Sequence, residues 1–440
     1  MSPHTRRRTV ATTAVLAVAA LTLTACSSGG SSGGSRTADL SSPAPTGVTL
    51  TLWHNSGDSQ ALLDLYQAYE KASGNTIDLV DLPSDTFPTA VQTKWAAGDR
   101  PDLLEYLPTP QDMAQLNMSE NMIDLSSMSF VEAEGNLATS AGTIDGKTYG
   151  AILGPIATFG AFYNKDVLTK AGLDVPTSYA DLAADCSALK AAGVTPISVG
   201  AGSEFPANMI AGFAYMADFN AGDAYGKSIA SGSAKVNDAD GPLLKSLTAV
   251  DDLRKDGCLN SNAATATFTD SVNDVYAGKA ALTILPSDFI ANFYEAGDND
   301  RAAVDAKIGF GAVSAEKGIA SYSPGSYGTY FVPKTGNSEK ERAAEDFIEW
   351  VTTDGYQQYV DDAQIVPTLS TATAPDLTGM NASMKTMLTD PDSTPAFNNS
   401  IPGFGNFGKI AVGLVAGQST PQEAADKFNT YVQQAIAAAK

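Results

Sequence analysis

Between Val48 and Leu107 the hydrophobic period switches repeatedly between two and three-to-four residues, and this alternation constrains the fold more than any other feature of the chain. Val48 to Trp53 alternates apolar and polar residues, as a half-buried strand does. Gly57 and Asp58 open a helix that carries Leu62, Leu65, Tyr66 and Tyr69 on one face, and Gly74 closes it. Ile77, Leu79 and Leu82 alternate again. Val91 and Trp95 then share a helix face, ended by Gly98, and Asp102 to Leu107 reads as a third strand. A β-α-β-α-β order implies a parallel sheet with helices on its faces. In open sheets of that kind ligands sit outside the carboxyl ends of the strands. Trp53 to Asp58 and Glu105 to Pro110 therefore lie at a candidate ligand edge.

A second α/β region follows. Ser178 and Asp181 form a capping box for a helix with Leu182, Cys186 and Leu189 inward, and Ile197 to Val199 is a strand. Leu243, Leu247, Val250 and Leu253 mark another amphipathic helix, which runs to Gly257-Cys258. Ala343, Phe347 and Val351 face inward on a late helix. Trp95 and Trp350 sit at helix-face spacing and read as core.

The N-terminus carries an export signal. Arg6, Arg7 and Arg8 precede an apolar run from Val10 to Leu23, too short for a retained membrane span. The run ends in Leu23-Thr24-Ala25-Cys26, which resembles the bacterial lipobox. That resemblance implies cleavage before Cys26 and lipidation of its thiol, leaving the protein tethered to the outer face of the cytoplasmic membrane. Residues 1–25 are read as signal peptide and 26–47, rich in Ser, Gly and Pro, as a flexible tether. Roughly 390 residues remain, enough for two domains. Cys186 and Cys258 lie in an exported chain, beside packed helices and outside any C-x-x-C. They are expected to pair as a disulfide.

The formal charge of −22 argues against nucleic acid as a partner. Of the two histidines, His4 belongs to the signal, which leaves His54. A multi-histidine metal site is excluded, and no metal or cofactor is expected. Neither a G-x-S-x-G elbow nor a G-x-x-x-x-G-K-[ST] loop occurs, so the chain is read as a non-enzyme that handles no ATP.

Four stretches carry a family resemblance. They are Ala96 to Leu103; Asp145-Gly146-Lys147-Thr148-Tyr149-Gly150 with Phe162 to Asp166, Ala171-Gly172-Leu173 and Gly193 to Ile197; Gly278 to Leu282; and Ala344 to Trp350. Together they resemble the family 1 extracellular solute-binding proteins, the carbohydrate-binding subunits of bacterial ATP-binding-cassette importers. The resemblance implies a periplasmic-binding-protein-like α/β fold of two lobes, each a mostly parallel sheet flanked by helices, with the ligand cleft between them. Lobe 1 would comprise 48–155 and 320–365, and lobe 2 156–319 and 366–440. The expected partners are a carbohydrate and membrane permease subunits, with the binding protein a monomer. A binding protein for a non-sugar solute, the ligand subunit of a sensor, and a surface glycosidase or lyase remain alternatives.

Sugar recognition needs aromatic faces for the pyranose and planar polar groups for its hydroxyls, which cost free energy if buried unpaired. The candidates are His54 and Asn55 after the first strand, Tyr106 after the third, Phe159 after the first crossover, and Phe205. Asp288 stands where the family has an aromatic residue. Tyr327 lies in a Gly-rich crossover and Phe404 in a Gly-Phe-Gly loop. For each, packing or a turn is the competing role.

Overall fold

The computed structural model describes residues 36–83, 86–135, 141–325 and 327–438. The signal peptide and Cys26 lie outside these residues. Ser59 caps α1 (Gln60–Ser73) by accepting the Leu62 N–H, and Gly74 ends that helix at φ +75°. On either side run β1 (Thr49–Asn55) and β2 (Thr76–Leu82), paired in parallel from Thr49↔Thr76 to Asn55↔Leu82. The chain continues through α2 (Phe87–Ala96), β3 (Leu103–Glu105), α3 (Pro110–Gln115), β4 (Gly150–Ile152) and β5 (Ile156–Asn164). Next come α4 (Tyr179–Ala191), with the expected Ser178–Asp181 capping box, then β6 (Thr195–Ile197), α5 (Pro242–Lys255) and β7 (Ala280–Pro286). After these follow β8 (Ile308–Gly311), β9 (Ser321–Pro324), β10 (Thr329–Phe331), α6 (Ser338–Thr352) and α7 (Tyr356–Ala363). The last elements are α8 (Gly379–Thr389), β11 (Thr394–Pro395) and α9 (Pro421–Ala438).

Two sheets result. The first has the order β2-β1-β3-β10-β4, and the second β11-β9-β5-β7-β6 with β8 also on β5. Side-chain alternation builds a core on each face of each sheet. Leu52, Leu103 and Tyr330 face α1 and α6, while their neighbours Trp53, Leu104 and Phe331 face α2. Phe159 and Ala161 pack on one side of the second sheet and Phe162 on the other.

The expectation of mostly parallel sheets holds for β2-β1-β3 and for the pairs β6-β7 and β9-β11. Strand β10 is antiparallel to both β3 and β4. Strand β5 is antiparallel to β7, β8 and β9, so the second sheet is mixed. The cause is topological: β9 and β10 lie on a segment that recrosses between the sheets, outside any β-α-β unit. β9 belongs to the second sheet, so the return to the first falls after Pro324.

The crossovers lie side by side. Leu153 and Gly154 donate their N–H groups to Gly328 O at 2.8 and 3.0 Å, and Gly325 N–H donates to Pro155 O at 2.9 Å. A Cβ on Gly154 would stand 1.9 Å from Tyr327 O, so no other residue fits this approach. The third crossing is pinned to the same place by Thr368, whose hydroxyl donates to Ile152 O at 2.6 Å.

The flexible tether expected over 26–47 is corrected for its described part. Arg36 bonds Glu341 at 2.6 Å and Glu345 at 2.8 Å on α6. Ala38 is buried and its N–H donates to Asp124 O, while Arg342 donates to Ser42 O at 2.9 Å. A Ser/Pro-rich composition supplies no core, but these specific partners hold the segment down. No helix among the described residues is long and apolar enough to cross a membrane.

Candidate functional site

The two sheets approach each other around the crossovers, and the sequence-derived candidates fall into two groups there. In the first half, β1 and β3 end side by side through the parallel register Leu52↔Leu103 and Trp53↔Leu104. This brings His54, Asn55, Asp58 and Glu105 together. His54 Nδ1 lies 3.0 Å from Asp58 Oδ2, and Nε2 lies 2.7 Å from Asp81 Oδ1. Burial favours the neutral ring, but hydrogen bonds and charge from Asp58 and then Asp81 outweigh it, so the His54 pKa is raised above the usual value. Glu105 is fully buried and accepts N–H groups from Asn55 at 2.8 Å and Gly328 at 2.6 Å. Its burial, reinforced by Asp58, holds the carboxyl well above the ordinary range. Tyr66 donates to Asp58 Oδ2 at 3.1 Å, and its oxygen lies 2.6 Å from that of Tyr330.

This geometry limits what the first-half candidates present to a guest. Both His54 nitrogens are engaged by carboxylates. Asn55 is 3% exposed, and its Oδ1 accepts the Gly57 N–H at 2.9 Å. Tyr106 is 2% exposed, packs near Phe87 and accepts from Gln92, so its ring is enclosed in the core of the first half instead of offering a stacking face. Tyr327, in the crossover, is partly buried against the core that faces α1.

In the second half, Phe159 and Phe404 join one aromatic cluster. Phe213 lies 4.6 Å from Phe159 and 5.6 Å from Phe404, and Phe397 lies 5.5 Å from Phe213. Phe205 stacks on Phe289 at 5.1 Å with planes 15° apart, beside Asp288. Asp288 Oδ1 is shielded from solvent and has no hydrogen-bond partner, and burial pushes the carboxyl up to about 6.

Asp288 lines a pocket of about 200 Å³ to which both halves contribute, Pro155, Gln364 and Ile365 on one side and Ser287, Tyr294 and Met384 on the other. A larger, more open hollow of about 510 Å³ lies between α5 and the start of α9 and is lined by the second half alone. The shared pocket is the better candidate because closing the halves changes it.

Two contacts between the halves escaped the sequence reading. Gln111 Nε2, on α3, donates to the carbonyls of Asn398 at 3.3 Å and Ile401 at 3.0 Å. Their acceptors are backbone atoms, which carry no residue signature. Asn398 Oδ1 is buried without a partner. One group of three possible metal-ligating side chains occurs among the described residues: His54, Asp58 and Glu105, with donor atoms within 4.8 Å of one another. Cys186 and Cys258 are joined as expected, bridging α4 to the third residue after α5.

The family model described as "Bacterial extracellular solute-binding protein" matches residues 54–358. Among solved structures, a chitin oligosaccharide binding protein superimposes with TM-score 0.74 at 21% identity, covering 89% of this chain and 99% of that one. The solute-binding protein RafE in complex with raffinose gives 0.72 at 19%, covering 88% and 100%. BlMnBP1, from an ABC transporter of Bifidobacterium animalis subsp. lactis in complex with mannobiose, gives 0.67 at 17%, covering 88% and 94%. At these identities the likeness shows a shared two-lobed fold. No curated protein matches the chain in sequence.

Proposed function

Since the chain belongs to the bacterial extracellular solute-binding protein family, we propose that it captures a sugar or oligosaccharide between its two halves and delivers it to the permease of an ATP-driven importer. The observation that carries this reading is the pocket shared by both halves, where Tyr294 and Asp288 lie on one wall and the buried Oδ1 of Asp288 lacks a donor. Vicinal hydroxyls supply such donors, and the C–H face of a pyranose suits the Tyr294 ring. The similar structures named for chitin oligosaccharide, raffinose and mannobiose support a saccharide guest. Phe159, Tyr327 and Phe404 are the further contacts this reading favours. Lobe 1 then spans 48–155 with the return segment, and lobe 2 the remainder. Guest contacts made from both lobes exist together only in the closed form, so binding favours closure. The protein acts as a monomeric, non-enzymatic carrier.

The test is thermal unfolding across a panel of mono- and oligosaccharides with X-ray scattering on the same samples. A true ligand at 100-fold its Kd adds ~2.7 kcal/mol, and the radius of gyration falls. Asp288→Ala weakens that ligand's binding while the free protein stays folded. A panel without any shift or contraction, followed by a response to amino acids, peptides or metal chelates, assigns a non-sugar solute instead.

We also propose that lipid on Cys26 anchors the carrier outside the cytoplasmic membrane. Cys26→Ala, expressed in a bacterium that processes lipoproteins, moves the protein from the membrane pellet to the soluble extracytoplasmic fraction. Retention in the pellet rejects the anchor.

A further inference from the structure

We infer that His54, Asp58 and Glu105 form a binding site for one divalent cation of the Zn²⁺ or Mn²⁺ class, beneath the crossovers and separate from the sugar pocket. Three independent observations meet here. First, two buried carboxylates share a single base. Glu105 is 0% exposed and the Asp58 side chain 1%, yet among the described residues neither pairs with a lysine or arginine; His54 is the sole basic neighbour. Two buried carboxylates in that setting need a cation or protons.

Second, the ligand geometry is already oriented from outside. His54 Nε2 faces Asp81 Oδ1 at 2.7 Å and Nδ1 faces Asp58, so when Asp81 holds the ring proton on Nε2 the Nδ1 lone pair is free to take an ion. A carboxylate behind a histidine is the arrangement that fixes metal-ligating imidazoles. Tyr66 holds Asp58, and the N–H groups of Asn55 and Gly328 hold Glu105, in the same supporting role. Third, Asp58 Oδ1 is buried without any hydrogen-bond partner.

The donor atoms already lie within 4.8 Å of one another, so a small inward shift brings all three to the ~2.0–2.2 Å bonds of Zn²⁺. One imidazole and two carboxylates suit Zn²⁺ or Mn²⁺, whereas Ca²⁺ takes six to eight oxygens. The expectation of no metal, drawn from a single mature histidine, counted against His54 as a ligand as well as against sites with several histidines, and the proposed site departs from it. Because Glu105 also receives the Gly328 N–H, the ion would clip the ends of β1 and β3 to the crossover.

The experiment uses the mature protein, its metal content measured as purified. The protein is then stripped with EDTA, dialysed, and titrated separately with Zn²⁺, Mn²⁺, Ca²⁺ and Mg²⁺ by calorimetry and thermal unfolding. One saturable equivalent of Zn²⁺ or Mn²⁺ with a raised melting temperature is expected. Asp58→Asn removes that equivalent. Asp81→Asn lowers its affinity ~10–100-fold, and since the Asp81 side chain is 77% exposed this variant keeps its fold even if Asp58→Asn does not. Absence of a single tight equivalent, or unchanged affinity in Asp81→Asn, overturns the site and leaves protons as the compensating charge. Saccharide binding is measured separately, so either reading can fail alone.

Discussion

Replacing Glu134 by glutamine should abolish a loss of stability on the order of 4 kcal/mol between mildly acidic and mildly alkaline pH. Glu134 is 5% exposed, accepts the Ile152 N–H at 2.7 Å through Oε1, and leaves Oε2 buried with no partner. Burial pushes its carboxyl up to about 8, and the Ile152 bond opposes this only in part. A folded-state pKa raised above the unfolded value of ~4.3 means that the folded form holds the proton more tightly. The stabilisation is therefore complete below about pH 4.5 and is lost as pH climbs toward about 8, at ~1.4 kcal/mol per unit. Glutamine keeps an acceptor for Ile152 and carries no proton to lose. Urea unfolding of parent and variant at pH 5, 6.5 and 8 measures the difference, which cancels other buried acids such as Asp288. The two curves should diverge as pH rises, with the variant the more stable at pH 8. Parallel curves would show that water or a neighbouring cation already satisfies Glu134. The effect reaches function because Ile152 leads into Leu153 and Gly154, which bond Gly328 in the crossover.

Local signals were legible. The face of Leu62, Leu65, Tyr66 and Tyr69 is buried on α1, and Ser178 makes the capping box with Asp181. Such features depend on neighbours within a few residues, and composition encodes them directly. The disulfide was legible too, since an exported chain with two inward-facing cysteines offers few alternatives. Pairing decided elsewhere was not legible. Ser321–Pro324 alternates like any short strand, and only its antiparallel partner Ile156–Phe159 assigns it to the second sheet. Arg36 sits in a Ser/Gly-rich stretch and finds Glu341, 305 residues away.

The candidate site divides the same way. That β1 and β3 end at a common edge follows from the β-α-β-α-β order. Which side chains then turn outward does not. His54 and Asn55 point into a buried carboxylate cluster because Asp58 and Glu105 meet them there. Tyr106 is enclosed because Phe87 and Gln92 cover it. Asp288 was found through a departure from the family pattern, and its unpartnered oxygen and its place in a pocket shared by both halves are properties of the folded chain alone.

Removing the Cys186–Cys258 bond should cost about 4 kcal/mol. The link joins residues 72 apart, so its absence frees a long loop in the unfolded chain. Both cysteines are buried, at 4% and 0% exposure, within the core that also holds Leu182, Ile197 and Leu253. The bridge ties α4 to the end of α5, and Cys258 O accepts the Ile197 N–H at 3.0 Å, which carries the constraint into β6. Strand β6 is the terminal strand of the second sheet and rests on β7, whose end presents Ser287 and Asp288 to the shared pocket. The double variant Cys186→Ala/Cys258→Ala separates the link from redox chemistry. Its urea midpoint should fall well below the oxidised parent's and should not respond to dithiothreitol, whereas the parent's should drop on reduction to near the variant's. Small differences between variant and reduced parent measure the packing of two sulfur atoms. If reduction leaves the parent unmoved while the variant is destabilised, the loss is one of packing and the cross-link contributes little. Ligand affinity should change less than stability, because the bridge lies wholly within the second half and restrains neither the crossovers nor the Gln111 contact.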